Sequence, residues 1–269
     1  MFINPKNGGY SVSRTKEQPV VHIKPPMIAE NSTEYGLNKD GEQYIGHRLA
    51  VQETVTDCQN GLFCVRRVLW NKDDCTRTLR LIFEAETLFQ PEKYLIPCVS
   101  YNGNAFGEGK EPKGLSCGGE MWLHAYDRVS IPSCTLSEDE QNVFALFVSD
   151  ETKESLESCC GMAKTAHGMR HRILWPVNET PCTYADNDIM AAPLIQEFCL
   201  LSGEKIEVSV YLFVGVPKWK NFGFATLFDC VYHLFRREIN TFRCSAELWR
   251  LGITYLNGLI EYHNRRYIR

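Results

Sequence analysis

TRTLRLIFEAETLF, Thr76 to Phe89, is the stretch on which the fold turns. Leu79, Leu81 and Phe83 alternate with Thr78, Arg80 and Ile82. A side-chain period of two sends one set toward a core and the other to the opposite face of a sheet. KIEVSVYLFVGV, Lys205 to Val216, repeats the pattern, with Ile206, Val208, Val210 and Leu212 on one face and Glu207 and Ser209 on the other. Between and around these two lie YIGHRLAVQ, LFCVRRVLW, KYLIPCVSY, EMWLHAYDRVSIP, NVFALFVSD, GMRHRILWPV and PLIQEFCLL, all read as strands. Turn-rich stretches such as NKDDC, PSCTLSEDEQ and NETPCTYADND separate them. Helical periodicity is almost absent before residue 217, so parallel winding lacks its crossover helices. Many short strands in series predict a mainly β chain, a large antiparallel β-sandwich.

The pattern changes after Pro217. NFGFATLFDCVYHLFRREI places Phe224, Leu227, Phe228, Val231, Leu234 and Phe235 at helical spacing. Ser245 then reads as an N-cap for a second helix, whose apolar stripe runs through Leu248, Leu251, Tyr255, Leu256 and Leu259. The expected organisation is a polar, partly extended lead-in over 1–40, a sandwich over 41–216, and two C-terminal helices over 217–269. Two apolar-faced helices need a partner surface.

Composition narrows the function classes. With 269 residues, 44% of them hydrophobic, the chain has ample material for a core. A formal charge of −4 without a basic stripe argues against nucleic acid as a partner. MFINPKNGGYSVSRTKEQ has no apolar h-region and no long apolar run follows, so neither a signal peptide nor a membrane span is expected. The twelve cysteines include no C-x-x-C, which removes zinc-ribbon and thioredoxin readings. Reduced, mostly buried thiols in a cytoplasmic protein are expected instead.

The most unusual stretch is YNGNAFGEGKEPKGLSCGG, Tyr101 to Gly119. It lacks the third glycine and the following helix of a dinucleotide loop, and the Gly-Lys-Ser/Thr of a P-loop. Gly114-Leu115-Ser116-Cys117-Gly118 matches the nucleophile pattern G-x-S-x-G by letter, but a strand rather than a helix is expected after it. Ser116 as an esterase nucleophile is thus the remote reading. His167 and His171 are spaced for one strand face, yet no third metal ligand accompanies them, and two ordinary histidines are expected. No carboxylate pair stands out as acid and base. No catalytic residue, metal or cofactor is assigned. Recognition remains: Asn102, Asn104 and Glu108 suit sugar hydroxyls, and Tyr101, Phe106 and Trp122 offer flat apolar faces. The competing reading is a surface loop that only packs on a neighbouring domain.

LIFEAETLFQPEKYLIPCVSYNGN, YDRVSIPSCTLSE and FGFATLFDCVYHLF, with the terminal AELWRLGITYLNGLIEY, resemble the front half of bacterial six-hairpin glycoside hydrolases. In that group a β-supersandwich precedes an (α/α)6 barrel. The resemblance, one of layout over roughly residues 40–269, implies a carbohydrate-active parent whose catalytic carboxylates lie on the barrel, beyond these residues. It implies a non-catalytic sandwich that packs on a helical domain outside this chain and edges its sugar pocket with the 101–119 loop. A free-standing carbohydrate-binding module is the alternative.

Overall fold

The computed structural model describes residues 2–6, 8–15, 18–101, 121–149, 156–179, 196–235 and 253, the side chains of 100, 101 and 233–235 apart. The strands, in chain order, begin with β1 (Phe2–Lys6), β2 (Gly9–Ser13), β3 (Pro19–Ile23), β4 (Met27–Glu30), β5 (Thr33–Gly36) and β6 (Asn38–Asp40). Then come β7 (Gln43–Gly46), β8 (Leu49–Asp57), β9 (Leu62–Asn71), β10 (Arg77–Thr87), β11 (Lys93–Ile96), β12 (Ser100–Tyr101) and β13 (His124–Ala125). The last are β14 (Thr135–Glu138), β15 (Val143–Phe147), β16 (Cys159–Lys164), β17 (Met169–Trp175), β18 (Phe198–Leu200) and β19 (Lys205–Gly215), followed by helix α1 (Gly223–Phe235).

Among the described residues these strands make two antiparallel sheets. The first runs β1-β2-β3-β10-β17-β16-β13, with β4 and β18 also on β10 and β5 on β4. The second runs β12-β11-β14-β15-β19-β9-β8-β7-β6. The chain is thus mainly β and sandwich-like. Residues 2–40, read from composition as a polar lead-in, carry six of the strands.

The two diagnostic runs are the long strands that organise each sheet. β10 has β17 and β18 on one side and β3 and β4 on the other. Its Leu79, Leu81 and Phe83 are fully buried, and so is Ile82, which looks the other way. β19 pairs along its length with β9, and Ile206, Val208, Val210 and Leu212 are buried as the alternation requires.

Polar groups also tie the sheets together. Arg67, on β9, donates through Nη1 to the Ile82 carbonyl (3.3 Å) and through Nη2 to the Lys24 carbonyl (3.2 Å), both in the first sheet. His171, on β17, meets Ser137 Oγ at 2.8 Å and Thr135 Oγ1 at 2.9 Å on β14, with the Phe144 ring edge-on at 5.0 Å. Burial pushes the His171 pKa down to about 3, so the imidazole is neutral in the fold.

Several expectations need correction. PSCTLSEDEQ is not only turn: Thr135–Glu138 is the wholly buried strand β14. YIGHRLAVQ is not one strand but two, broken at His47 and Arg48, whose φ angles are both positive (50° and 60°). Among the described residues of EMWLHAYDRVSIP, only the two of β13 are strand, followed by a 3-10 turn at Tyr126–Arg128. The cysteines are not mostly buried: of the nine described, all free, only Cys134, Cys159 and Cys160 are. One α-helix is described rather than two, because of the second stretch only Ile253, helical and exposed, is among the described residues.

The chain divides into two compact units, Met1–Cys230 and Val231–Arg269. Everything below concerns the first.

Candidate functional site

The outward face of the first sheet is where chemistry-bearing side chains gather. Register sets them in rows across three strands. Glu86 lies opposite Arg170, and Arg170 opposite Ala163. The next row is Glu84, Arg172 and Gly161, and the next is Ile82, Leu174 and Cys159. Half of the face is therefore charged and half apolar. Ile82, Leu174 and Cys159 pack with Ala29, Ala125 and Val177, and Leu123 and Met27 lean on that cluster.

Arg172 is the hinge of the charged half. Its Nε donates to Glu84 Oε2 at 2.5 Å, and its two terminal nitrogens donate to the carboxylate of Glu34, on β5, at 2.8 Å each. Burial works against the Arg172 charge, but the two carboxylates outweigh it and raise the pKa above its ordinary value. The guanidinium is thereby locked in place. Arg80 stands 3.9 Å from Glu197, and Lys24 3.9 Å from Glu86. The buried Nε atoms of Arg80 and Arg170 have no hydrogen-bond partner among the described residues. A buried guanidinium nitrogen without an acceptor is costly.

The segment leading out of the glycine-rich stretch lies on this face. A Cβ added to Gly161 would sit 2.5 Å from the Trp122 carbonyl oxygen and 2.9 Å from Met121 Cγ. Only glycine lets Met121 and Trp122 approach β16 so closely. Gly161→Ala should therefore displace residues 121–123 and cost about 1–3 kcal/mol, read as a lowered urea midpoint. An unchanged midpoint would show that the segment does not rest on β16.

Of the six residues singled out in the sequence, Trp122 is half-buried beside this face. Tyr101 closes the edge strand β12 of the second sheet, and its side chain lies outside the described residues. Asn102, Asn104, Phe106 and Glu108 lie wholly outside them, as does Ser116. The loop's anchors are informative even so: it leaves from β12, at the edge of the second sheet, and returns at β13, at the edge of the first.

Sequence reasoning missed Arg170, Arg172, Glu34 and Glu84. One signal was available. In GMRHRILW, Arg170 and Arg172 alternate with Met169, His171, Ile173 and Trp175, which marks a strand with a charged face.

The two histidines do not form a metal pair. His167 is exposed in the β16–β17 turn, and His171 is fully buried between the sheets. Asp73, Asp74 and Cys75 bring ligand-type atoms within 4.8 Å of one another. Arg48 and Arg77 already occupy Asp73 at 2.9 and 3.2 Å, and the Arg48 contact holds its carboxyl well below the usual range. Asn178, which opens the glycosylation-type triplet Asn178-Glu179-Thr180, is buried, with its amide given to the carbonyls of Pro176 and Gln196.

No protein-family model matches the chain, and no curated protein matches it. Solved structures give loose likenesses. A galactose mutarotase-like protein from Lactobacillus casei is 9% identical at a TM-score of 0.41, covering 80% of this chain and 99% of its own. The Slr1438 protein from Synechocystis is 9% identical at 0.36, covering 77% and 87%. A putative aldose 1-epimerase from Escherichia coli is 9% identical at 0.35, covering 77% and 68%. Likenesses this loose assign no residue a role.

Proposed function

We propose that this chain is the non-catalytic β-sandwich part of a carbohydrate-active protein and that it binds sugar on the outward face of its first sheet. The supporting observation is the adjacency on that face of fixed charged groups and the half-buried apolar segment Met121–Leu123. Sugar rings carry hydroxyls around their edge and C–H groups on their faces, so they need both. Arg170 and Arg172, the latter locked by Glu34 and Glu84, supply the charged groups. The half-buried Met121–Leu123 segment supplies the apolar surface, resting on the buried Ile82 and Leu174. In the same reading the 101–119 loop edges the pocket, and a helical domain outside this chain supplies any catalysis. Val216, Trp219 and Phe222, exposed just before α1, fit an apolar contact with such a domain.

Titration calorimetry against a panel of mono- and oligosaccharides tests the proposal. Binding is expected to weaken at least about tenfold in both Arg170→Met and Trp122→Ala, the loss of about one good contact each. Neither change opens the core, so the far-ultraviolet circular dichroism should be unaltered. Absence of heat across the panel would sink the binding reading. Turnover of glycosides by the isolated chain would sink the non-catalytic one.

A further inference from the structure

A second opening lies where strand ends of the first sheet meet a turn of the second. The end of β2, the start of β3, the residues after β10 and the β14–β15 turn line a cleft of about 360 Å³. Arg14, Gln18, Leu88, Phe89, Gln141 and Asn142 stand on its walls. Two of the walls are tied by backbone, the Leu88 amide donating to the Val20 carbonyl at 2.8 Å. None of the residues named on the outward face lines this cleft.

Arg14 is half-buried there, and nothing among the described residues bonds to its guanidinium. The Nε is covered without a partner, while the terminal nitrogens, equally without one, stay open to solvent. Arg67, Arg77 and Arg172, whose side chains are also largely covered, each meet a carboxylate instead. A half-buried guanidinium with no counter-charge has given up water and gained no anion in return. No carboxylate lines the cleft among the described residues. The acids next to it in sequence are already engaged. Asp139 Oδ1 accepts from the Gln141 and Asn142 backbone amides at 2.7 and 2.6 Å and from Asn142 Nδ2 at 3.1 Å, and Glu140 pairs with Lys220. With Nδ2 on Asp139, Asn142 keeps its Oδ1 turned away as an acceptor.

We propose that this cleft binds a small sugar acid, its carboxylate on the terminal nitrogens of Arg14 and its ring against Leu88 and Phe89. Charge selects the anion. A neutral sugar would leave the guanidinium unmatched, and a cation would be repelled by it. Geometry selects the carboxylate, whose two oxygens fit the planar fork of an arginine. The remaining wall selects a hydroxylated carbon body over an inorganic anion. The Gln18 and Gln141 amides and Asn142 Oδ1 offer donors and acceptors to hydroxyls. Leu88, 39% exposed, and the half-buried Phe89 offer apolar surface to the C–H face of a ring. The volume is that of a small-ligand site.

The test uses the full chain labelled with 4-fluorophenylalanine, with D-glucuronate and D-glucose as probes. The Phe89 fluorine resonance is assigned by its disappearance in Phe89→Leu. It is expected to move on titration with D-glucuronate, and to need at least about tenfold more D-glucose for the same movement, the value of one charge-assisted contact. The response should be the same in the Trp122→Ala, Arg170→Met double variant, where the outward face is disabled. Arg14→Met should abolish the preference for glucuronate. Arg14→Lys, which keeps the charge and loses the fork, should bind glucuronate more weakly and still prefer it to glucose, so the role of the charge is read even if the methionine variant folds poorly. A Phe89 resonance unmoved by D-glucuronate would overturn the proposal, as would an equal response to the two probes or a preference that survives in Arg14→Met. Movement in the wild type but not in the double variant would also overturn it, and would leave the outward-face reading standing.

Discussion

Glu53→Ala is expected to cost about 3–5 kcal/mol of folding stability, the range for removing one partner of a buried ion pair. The reason is the state of Arg67, whose side chain is 1% exposed. Its Nη atoms would keep the Lys24 and Ile82 carbonyls, but those are neutral acceptors. The charge would stay buried over the Phe83 ring with no carboxylate beside it. Arg67 also joins the sheets, so the penalty falls on the sandwich as a whole. Urea unfolding reads the loss as a lower midpoint at unchanged slope. The double change Glu53→Leu, Arg67→Met should cost much less than the single one, since apolar replacement of both partners removes the buried charge altogether. A single-variant loss below about 1 kcal/mol would mean that water reaches Arg67 and that the pair is not buried in solution.

Acid is expected to weaken the fold through His171. Unfolded, the imidazole has its ordinary value of 6.5, and folded, burial holds it near 3. Between those values the unfolded chain binds a proton that the folded chain refuses. Stability tied to this group is therefore complete above about pH 6.5 and is lost progressively as pH falls toward 3, with a full swing on the order of 4–5 kcal/mol. Burial, with Arg128 adding, takes His124 down to about 4 and acts in the same sense. So do Glu30 and Asp73, whose carboxyls arginines hold low. The His171 share is isolated by comparing urea unfolding of the wild type and His171→Gln at pH 4, 5, 6 and 7. The variant should be less stable at pH 7, through its poorer fit to Ser137 and Thr135, yet lose distinctly less between pH 6 and pH 4. Parallel losses in the two proteins would show that His171 is not the acid-sensitive group.

How far the fold could be read from the chain depends on where each element finds its partners. β10 and β19 were legible because both faces of a long strand write their environment into a local period of two. Leu79, Leu81 and Phe83, and Ile206 through Leu212, needed no knowledge of neighbours. Their assembly into an antiparallel, sandwich-like pair of sheets followed from the lack of crossover helices. β14 was illegible for the opposite reason. Thr135, Ser137 and Glu138 look like turn residues, and they are tolerable inside only because His171, more than thirty residues away, meets Thr135 and Ser137, while Glu138 accepts from the Gly223 amide at 2.5 Å. The β7–β8 turn has no Gly, Asn or Asp at its two central positions. Its positive φ angles at His47 and Arg48 are supported from outside, by Asp73 on Arg48 at 2.9 Å. The first forty residues look polar because β1 is exposed along its whole length, although β2 beside it is wholly buried.

The candidate site divides the same way. Sequence alone determined a mainly β chain, and strands with one charged face. It could not pair Arg172 with Glu84, 88 residues earlier, and with Glu34, 138 residues earlier. Nor could it show that Arg170 and Arg14 each carry a buried polar atom without a partner among the described residues. Periodicity is a property of neighbours along the chain. Pairing, burial and the want of a partner are properties of neighbours across it, and only the packed sheets decide them.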